Sequence, residues 1–216
     1  MPVSIRPYKS TDARELQSAV LSSVGYIGSW LDWCTPRCSL PDVRAWIESS
    51  IDLWEQGRVF RWVIDGPMHK RFVGAVEVSL PVPGDLVGEM GYWVRRDSIG
   101  QGICTQAAAA ALKWSFERLD LAQVDLFVQP DNVASIAVAL KLGAKLRGQQ
   151  EDQIVYNGES RLANHYMVLA KDFELLDLPT AECNAPLSAH DRSANTHFSA
   201  YNSNYEFRRR VKIPRA

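Results

Sequence analysis

The segment from Gly88 to Gly143 constrains the fold of this chain more than any other. An apolar strand candidate, Glu89–Val94, passes through a short turn into Gly100-Gln101-Gly102, which opens an alanine-rich helix. A second apolar strand candidate, Val124–Val128, ends at Pro130-Asp131-Asn132 and a further helix. Provided the two strands are adjacent and parallel, both hand over to a helix at the same sheet edge, where a ligand crevice forms. Two glycines at such a junction leave backbone N–H groups bare and let an anion approach closely. Taken alone, Gly-x-Gly equally describes a tight strand–helix turn without a ligand.

The rest of the chain reads as helices and strands intermixed around one sheet. Val3–Tyr8 alternates apolar and polar residues as an opening strand, and Thr11-Asp12 supplies an N-cap for a helix running to about Val24. Residues 25–36 are aromatic and irregular. Ser39-Leu40-Pro41-Asp42 starts a second helix, which Gly57 stops, with Val43, Trp46, Ile47, Ile51 and Trp54 at helical spacing. Strands follow at Val59–Asp65 and Arg71–Leu80, the latter closed by a loop at residues 81–84. Residues 144–156 and 161–169 form a closing hairpin around Asn157-Gly158, the strongest two-residue hairpin signal. The order β-α-α-β-β-β-α-β-α-β-β predicts a mixed α/β fold.

Composition excludes several function classes. A net charge of −1 gives no general attraction to nucleic acid or an anionic membrane. No apolar run approaches the roughly 20 residues that span a bilayer. The N-terminus lacks a hydrophobic signal segment, so a cytoplasmic protein is expected. Cys34 and Cys38 have no second Cys/His pair at ligand spacing, which argues against a metal site and against a disulfide framework. Residues 1–172 are expected to form the domain. Residues 173–216, rich in Ser, Asn, His and Pro and ending Arg208-Arg209-Arg210-Val211-Lys212, are expected to be a disordered or loosely docked polar tail.

The chemistry-bearing residues cluster at the two strand–helix junctions. Main-chain donors of Gly100, Gln101, Gly102, Ile103, Cys104 and Thr105 can wrap a pyrophosphate, helped by the helix dipole. Asn132 can cap the second helix. Ser135, one turn further in, is not explained by capping and would look toward the same crevice. Glu89 shares a face with Gly91 and Trp93 by alternation and is the best-placed carboxylate to act as a base, ahead of Glu77 and Glu151. His165 is read as a surface residue. Trp30 and Trp33 flank Asp32, whose charge is awkward in a core.

Gly91-Tyr92-Trp93-Val94, then Gly100-Gln101-Gly102-Ile103-Cys104-Thr105-Gln106-Ala107, then Asn132-x-x-Ser135 with Leu142-Gly143-Ala144, resembles the Gcn5-related N-acetyltransferase (GNAT) superfamily. Within it the chain is most similar to the RimJ/RimL-like branch, which modifies ribosomal proteins, and Trp30–Trp33 with Ser39–Asp42 looks like that branch's aromatic loop and following helix. The branch resemblance implies that Tyr26, Trp30 and Trp33 form one wall of the acceptor cleft, with Asp32 useful near a cationic amine; the alternative is core aromatics under an irregular loop. The resemblance covers residues 3 to about 171. It implies a twisted sheet of about seven strands and about four helices, with a splayed strand pair forming the coenzyme crevice. It implies acetyl-coenzyme A as donor, no metal, and direct attack by an amine, either a peptide N-terminus or a small molecule. The pyrophosphate would lie on residues 100–105 and the pantetheine arm on main-chain groups of Trp93 and Val94 and on Asn132. Ser135 would serve as general acid to the departing sulfur. The chain departs from the superfamily pattern at Asp97, where Gln or Arg is common, and at Gln106, where the branch commonly has Glu. Asp97 is expected to point to solvent, with Arg95 and Arg96 supplying positive field.

Acetyl-coenzyme A and the amine acceptor are the expected partners, with the chain a monomer or homodimer. A catalytically silent acyl-coenzyme A-binding module is the rival reading, disfavoured by the retained Asn132 and Ser135. A dinucleotide-dependent oxidoreductase fits poorly, because no third glycine follows Gly102 and no acidic ribose reader is evident.

Overall fold

The computed structural model describes residues 2–68, 71–81 and 86–185. Its strands are β1 (Ser4–Pro7), β2 (Val59–Asp65), β3 (Gly74–Ser79), β4 (Val87–Val94), β5 (Gln123–Val128), β6 (Lys145–Tyr156), β7 (Glu159–Leu169) and β8 (Glu182–Cys183). They form one sheet in the order β6-β7-β5-β4-β3-β2-β1-β8. β1 through β4 are antiparallel neighbours, while β4 and β5 run parallel. The helices are α1 (Ala13–Leu21), α2 (Val24–Ile27), α3 (Leu40–Glu55), α4 (Ile103–Leu119), α5 (Val133–Lys141) and α6 (Ala170–Phe173).

Side-chain alternation along β2 sets the layers. Phe60, Trp62 and Ile64 face the core shared with α4, whereas Val63 faces the core shared with α1 and α3. A strand buried on both faces reads as a nearly continuous apolar run, which VFRWVID is. Ala107 to Ala111 on α4 are all at most 3% exposed. Their small side chains let the helix lie close to the sheet, and larger ones there would overpack. Trp54, at the end of α3, packs on the rings of Phe60, Trp62 and Trp114 at centroid distances of 5.2, 5.1 and 5.6 Å. Such edge and tilted pairs add to the stabilisation from buried area alone.

Local signals act largely where the sequence puts them. Ser39 caps α3 by accepting the Asp42 N–H at 3.3 Å. Asn157 and Gly158, both at positive φ, turn β6 into β7. Asp12 behaves differently from an N-cap: its carboxylate accepts the Lys9 N–H at 2.8 Å and pairs with Arg6 at 2.8 Å. β3 begins at Gly74 rather than Arg71, since Phe72 adopts φ 52°.

The chain past β7 docks on the domain as far as residue 185. Phe173 is buried against Phe116, with ring centroids 5.5 Å apart. Ala181 is buried, and its N–H donates to the Gln106 carbonyl at 3.1 Å. Glu182 donates to the Val3 carbonyl just before β1 at 2.9 Å and Asn184 to that of Ile5 in β1 at 2.8 Å, adding the eighth strand to the seven expected. The cause is the outer edge of β1, whose unpaired backbone groups pair with the returning chain. Residues 186–216, including the basic end and His190 and His197, and most of the loop expected at 81–84 lie outside the described residues.

Candidate active site

β4 and β5 are paired at only three successive positions, ending at Glu89 opposite Asp125. Beyond that rung β4 stays on β3 as far as Val94, while β5 stays on β7 as far as Val128. The two strands therefore part and leave a crevice whose β4 lip carries main-chain groups that no described strand pairs with. Arg95 N–H bonds to the Val73 carbonyl at 2.7 Å. By antiparallel alternation this turns the Trp93 main chain toward β3 and those of Tyr92 and Val94 into the crevice.

At one end of the crevice stands the start of α4. Gly100 and Gly102 both have φ of 73°, a left-handed conformation that most side chains resist, so these positions favour glycine. Gln106 is the first residue of the helix to donate to a carbonyl four back, Gly102 O at 3.0 Å. The amides of Ile103, Cys104 and Thr105 thus have no partner within the helix, and an ideal Cβ on Gly100 would meet nothing within 4 Å. An open cradle of amides at a helix N-terminus fits a pyrophosphate. Asp97 is exposed, as expected, and receives Ser98 Oγ at 3.0 Å, with Arg95 Nε 3.4 Å away. Burial pushes the Cys104 thiol up to about 12, so it stays protonated and neutral beside the cradle.

The opposite lip is α5. Asn132 accepts the Ser135 N–H at 3.1 Å, which fixes the first turn and leaves its amide NH₂ for a ligand. The Ser135 hydroxyl donates to Tyr92 Oη at 3.3 Å, and Tyr92 donates to the Ser135 carbonyl at 3.0 Å. Tyr92, on β4, had no assigned role from sequence. Burial, followed by the neighbouring Cys104, raises the Tyr92 phenol above its ordinary range. Ser135 therefore faces a neutral hydroxyl.

On the acceptor side the aromatic loop is pinned from a distance. Tyr156 Oη donates to the Gly28 carbonyl at 2.7 Å, Gln129 Nε2 to the Trp30 carbonyl at 3.3 Å, and Asn157 N–H to Asp32 Oδ2 at 3.2 Å. Asp32 thus turns toward the β6–β7 hairpin. Trp33 packs edge-on against Trp93 at 5.8 Å. Glu89 occupies the last rung before the split, opposite Ser79 and Asp125. His165 differs from its expected surface position: it is largely enclosed, 3.0 Å from Asp125 Oδ1 and stacked on Phe127 at 4.8 Å. Among the described residues no group of three or more His, Cys, Asp or Glu is placed to hold a metal ion, and no helix is long and apolar enough to cross a membrane.

The profile of the acetyltransferase (GNAT) domain matches residues 3–145. YdaF of Bacillus subtilis (strain 168), whose name assigns it provisionally to the ribosomal N-acetyltransferases, is 25% identical over 186 residues, covering 80% of this chain and 93% of YdaF. The solved structure of RimL, a ribosomal L7/L12 alpha-N-protein acetyltransferase in complex with coenzyme A, superposes with a TM-score of 0.72 at 23% identity, covering 78% of this chain and 94% of RimL. The microcin C7 self-immunity acetyltransferase MccE, in complex with acetyl-CoA and AMP, also gives 0.72, at 20% identity over 78% of this chain and 92% of that one. With the strand split, the amide cradle and the Ser135 lip in place, this chain belongs to the acetyltransferase (GNAT) domain family and is an acetyl-CoA-dependent N-acetyltransferase.

Proposed function

We propose that this chain acetylates the terminal amine of a protein or peptide. The reading rests on the crevice between β4 and β5, flanked by the bare first-turn amides of α4 and by Ser135 on α5. The name of YdaF supports a protein acceptor. Residues 100–105 hold the pyrophosphate, and the main chain of β4 with Asn132 aligns the pantetheine arm. An amide on the β4 lip polarises the thioester carbonyl. Ser135 gives its proton to the departing sulfur, and a weak acid suffices because a thiolate leaves readily. Glu89, at the base of the crevice, takes the proton released by the amine through water.

A small-molecule primary amine is the second reading. It is favoured by the pinning of residues 28–32 to the β6–β7 hairpin, which closes one side of the acceptor groove. Incubation with acetyl-CoA and a set of peptides, free and N-terminally blocked, separates the two. Thiol release with the acetyl group on the α-amine is the expected result. Release only with small amines would favour the second reading, and tight coenzyme binding without turnover on any amine would leave a silent binding module.

A further inference from the structure

Arg61, Glu77 and Gly91 lie on one rung across β2, β3 and β4, on the face covered by α1 and α3. Arg61 is only 4% exposed, and a buried cation needs partners. Its Nε donates to Glu77 Oε2 at 2.7 Å and its Nη1 to Ser50 Oγ at 3.2 Å, while the guanidinium sits 5.1 Å from the Trp46 ring. Glu77 is thereby held in one orientation, yet its side chain stays 40% exposed. Gly91 leaves the other side of this carboxylate open. A Cβ there would lie 3.5 Å from Glu77 Cγ and 3.6 Å from Oε1. Oε1 thus looks over a bare stretch of β4, two residues past Glu89, the last rung that β4 shares with β5.

A cavity of ≈ 180 Å³ opens at this carboxylate. Its apolar walls are Leu16, Val20, Trp33, Val43, Trp46 and Trp93, and Arg61 and Glu77 are its only charged lining residues among those described. The volume is below the roughly 300–1,000 Å³ of pockets for drug-sized ligands, and suits one side chain rather than a whole peptide. Tyr8 also lines it, and its buried hydroxyl has no hydrogen-bond partner among the described residues.

We propose that this cavity receives the group next to the acceptor's amine, a compact apolar or aromatic side chain, and that Glu77 Oε1 holds the amine over Gly91 beside the crevice. The inference rests on the N-acetyltransferase reading and adds to it a substrate class. Arg61 is a positioning residue: it fixes Glu77 and leaves one carboxylate oxygen for the ligand. A second ammonium or a carboxylate entering the cavity would lose its hydration against aromatic walls, with Arg61 and Glu77 engaged with each other and only the neutral Tyr8 hydroxyl to meet it. Polyamines and acceptors with an acidic first residue are therefore disfavoured.

The test uses the full chain with acetyl-CoA and five acceptors: phenylalaninamide, leucinamide, glycinamide, the α-amide of aspartate and spermidine. Thiol release is expected to show kcat/KM about tenfold or more higher for the first two than for the others. Glu77→Gln should raise the KM for phenylalaninamide by about tenfold while the KM for acetyl-CoA holds. Arg61→Lys, which keeps the charge and loses the two-point grip, should move the same constant and leave that for acetyl-CoA alone. A preference for glycinamide or spermidine, or an unchanged KM in Glu77→Gln, overturns the inference while the enzyme reading stands. Should no amine release thiol, the enzyme reading falls, and calorimetry with phenylalaninamide decides the cavity by itself. Binding that is weakened in Glu77→Gln supports the site, and no binding to the unmodified protein overturns it.

Discussion

The hydroxyls of Tyr92 and Ser135 meet at 3.3 Å across the crevice, joining residues 43 positions apart. Tyr92 spends its own proton on the Ser135 carbonyl, so it can only accept from the Ser135 hydroxyl. This holds the serine rotamer at the crevice with its proton on Tyr92 Oη, and the hydroxyl turns from that long bond to the sulfur when the thiolate leaves. Ser135→Ala should lower kcat by at most about 10²-fold, the low end for a lost general acid, since the thiolate needs little help. Tyr92→Phe should lower kcat by a smaller factor. Burial raises the Tyr92 phenol, so the rate should show no alkaline limb from tyrosine near its ordinary value of about 10. Steady-state kinetics of both variants across pH check this; an unchanged kcat in Ser135→Ala removes the residue from the reaction.

Gly102→Asp should abolish coenzyme binding. Aspartate tolerates left-handed backbone better than most residues, and the nearest atom to a Cβ there is Gln106 Nε2 at 3.7 Å. Folding should therefore survive while a negative charge sits against the pyrophosphate cradle. Calorimetric titration with coenzyme A, beside a thermal melt, reads the two effects separately.

What the sequence made legible is local. Ser39 before Leu40-Pro41-Asp42 and Asn132 before α5 announce helix starts by their own chemistry. Gly100 and Gly102 mark backbone that only glycine adopts readily, and they made the cradle readable. The Tyr92–Ser135 contact, the Arg61–Glu77 pair 16 residues apart and the Tyr156–Gly28 bond spanning 128 residues leave no periodic trace. They depend on sheet order, which strand patterns alone do not specify. Arg61 in particular reads as an interruption of an apolar strand, and its partners emerge only once β2, β3 and α3 are packed together. β8 escaped for another reason: Glu182–Cys183 is too short to show alternation and is a strand only because β1 offers an edge.

The aromatic loop should owe its position to the hairpin. Tyr156→Phe removes the 2.7 Å bond to the Gly28 carbonyl at a cost of about 1 kcal/mol. The remaining ties at Trp30 and Asp32 keep the loop near its place, so the fold should persist. The KM for the acceptor should rise about threefold to tenfold, in line with that energy, with the KM for acetyl-CoA unchanged. Equal changes in both constants would show that the tether supports the whole fold rather than the acceptor side.

Alkaline conditions should destabilise the protein through Cys34. Burial, followed by the neighbouring Cys38, pushes its thiol up to about 11, against about 8.5 for an unperturbed cysteine. Between those values the unfolded chain has lost the proton and the native chain still binds it. The unfolded state then binds fewer protons, so stability falls as pH rises, by at most about 1.4 kcal/mol per pH unit for one thiol. Below that window both states are protonated and the residue contributes no pH dependence. Alkaline pH also acts on the rest of the chain, so the measurement is a difference. Urea midpoints at about pH 8 and about pH 10.5, for the protein and for Cys34→Ala, should converge as pH rises, because the variant lacks this loss. A constant gap between the two would mean that the thiol is not held protonated by the fold.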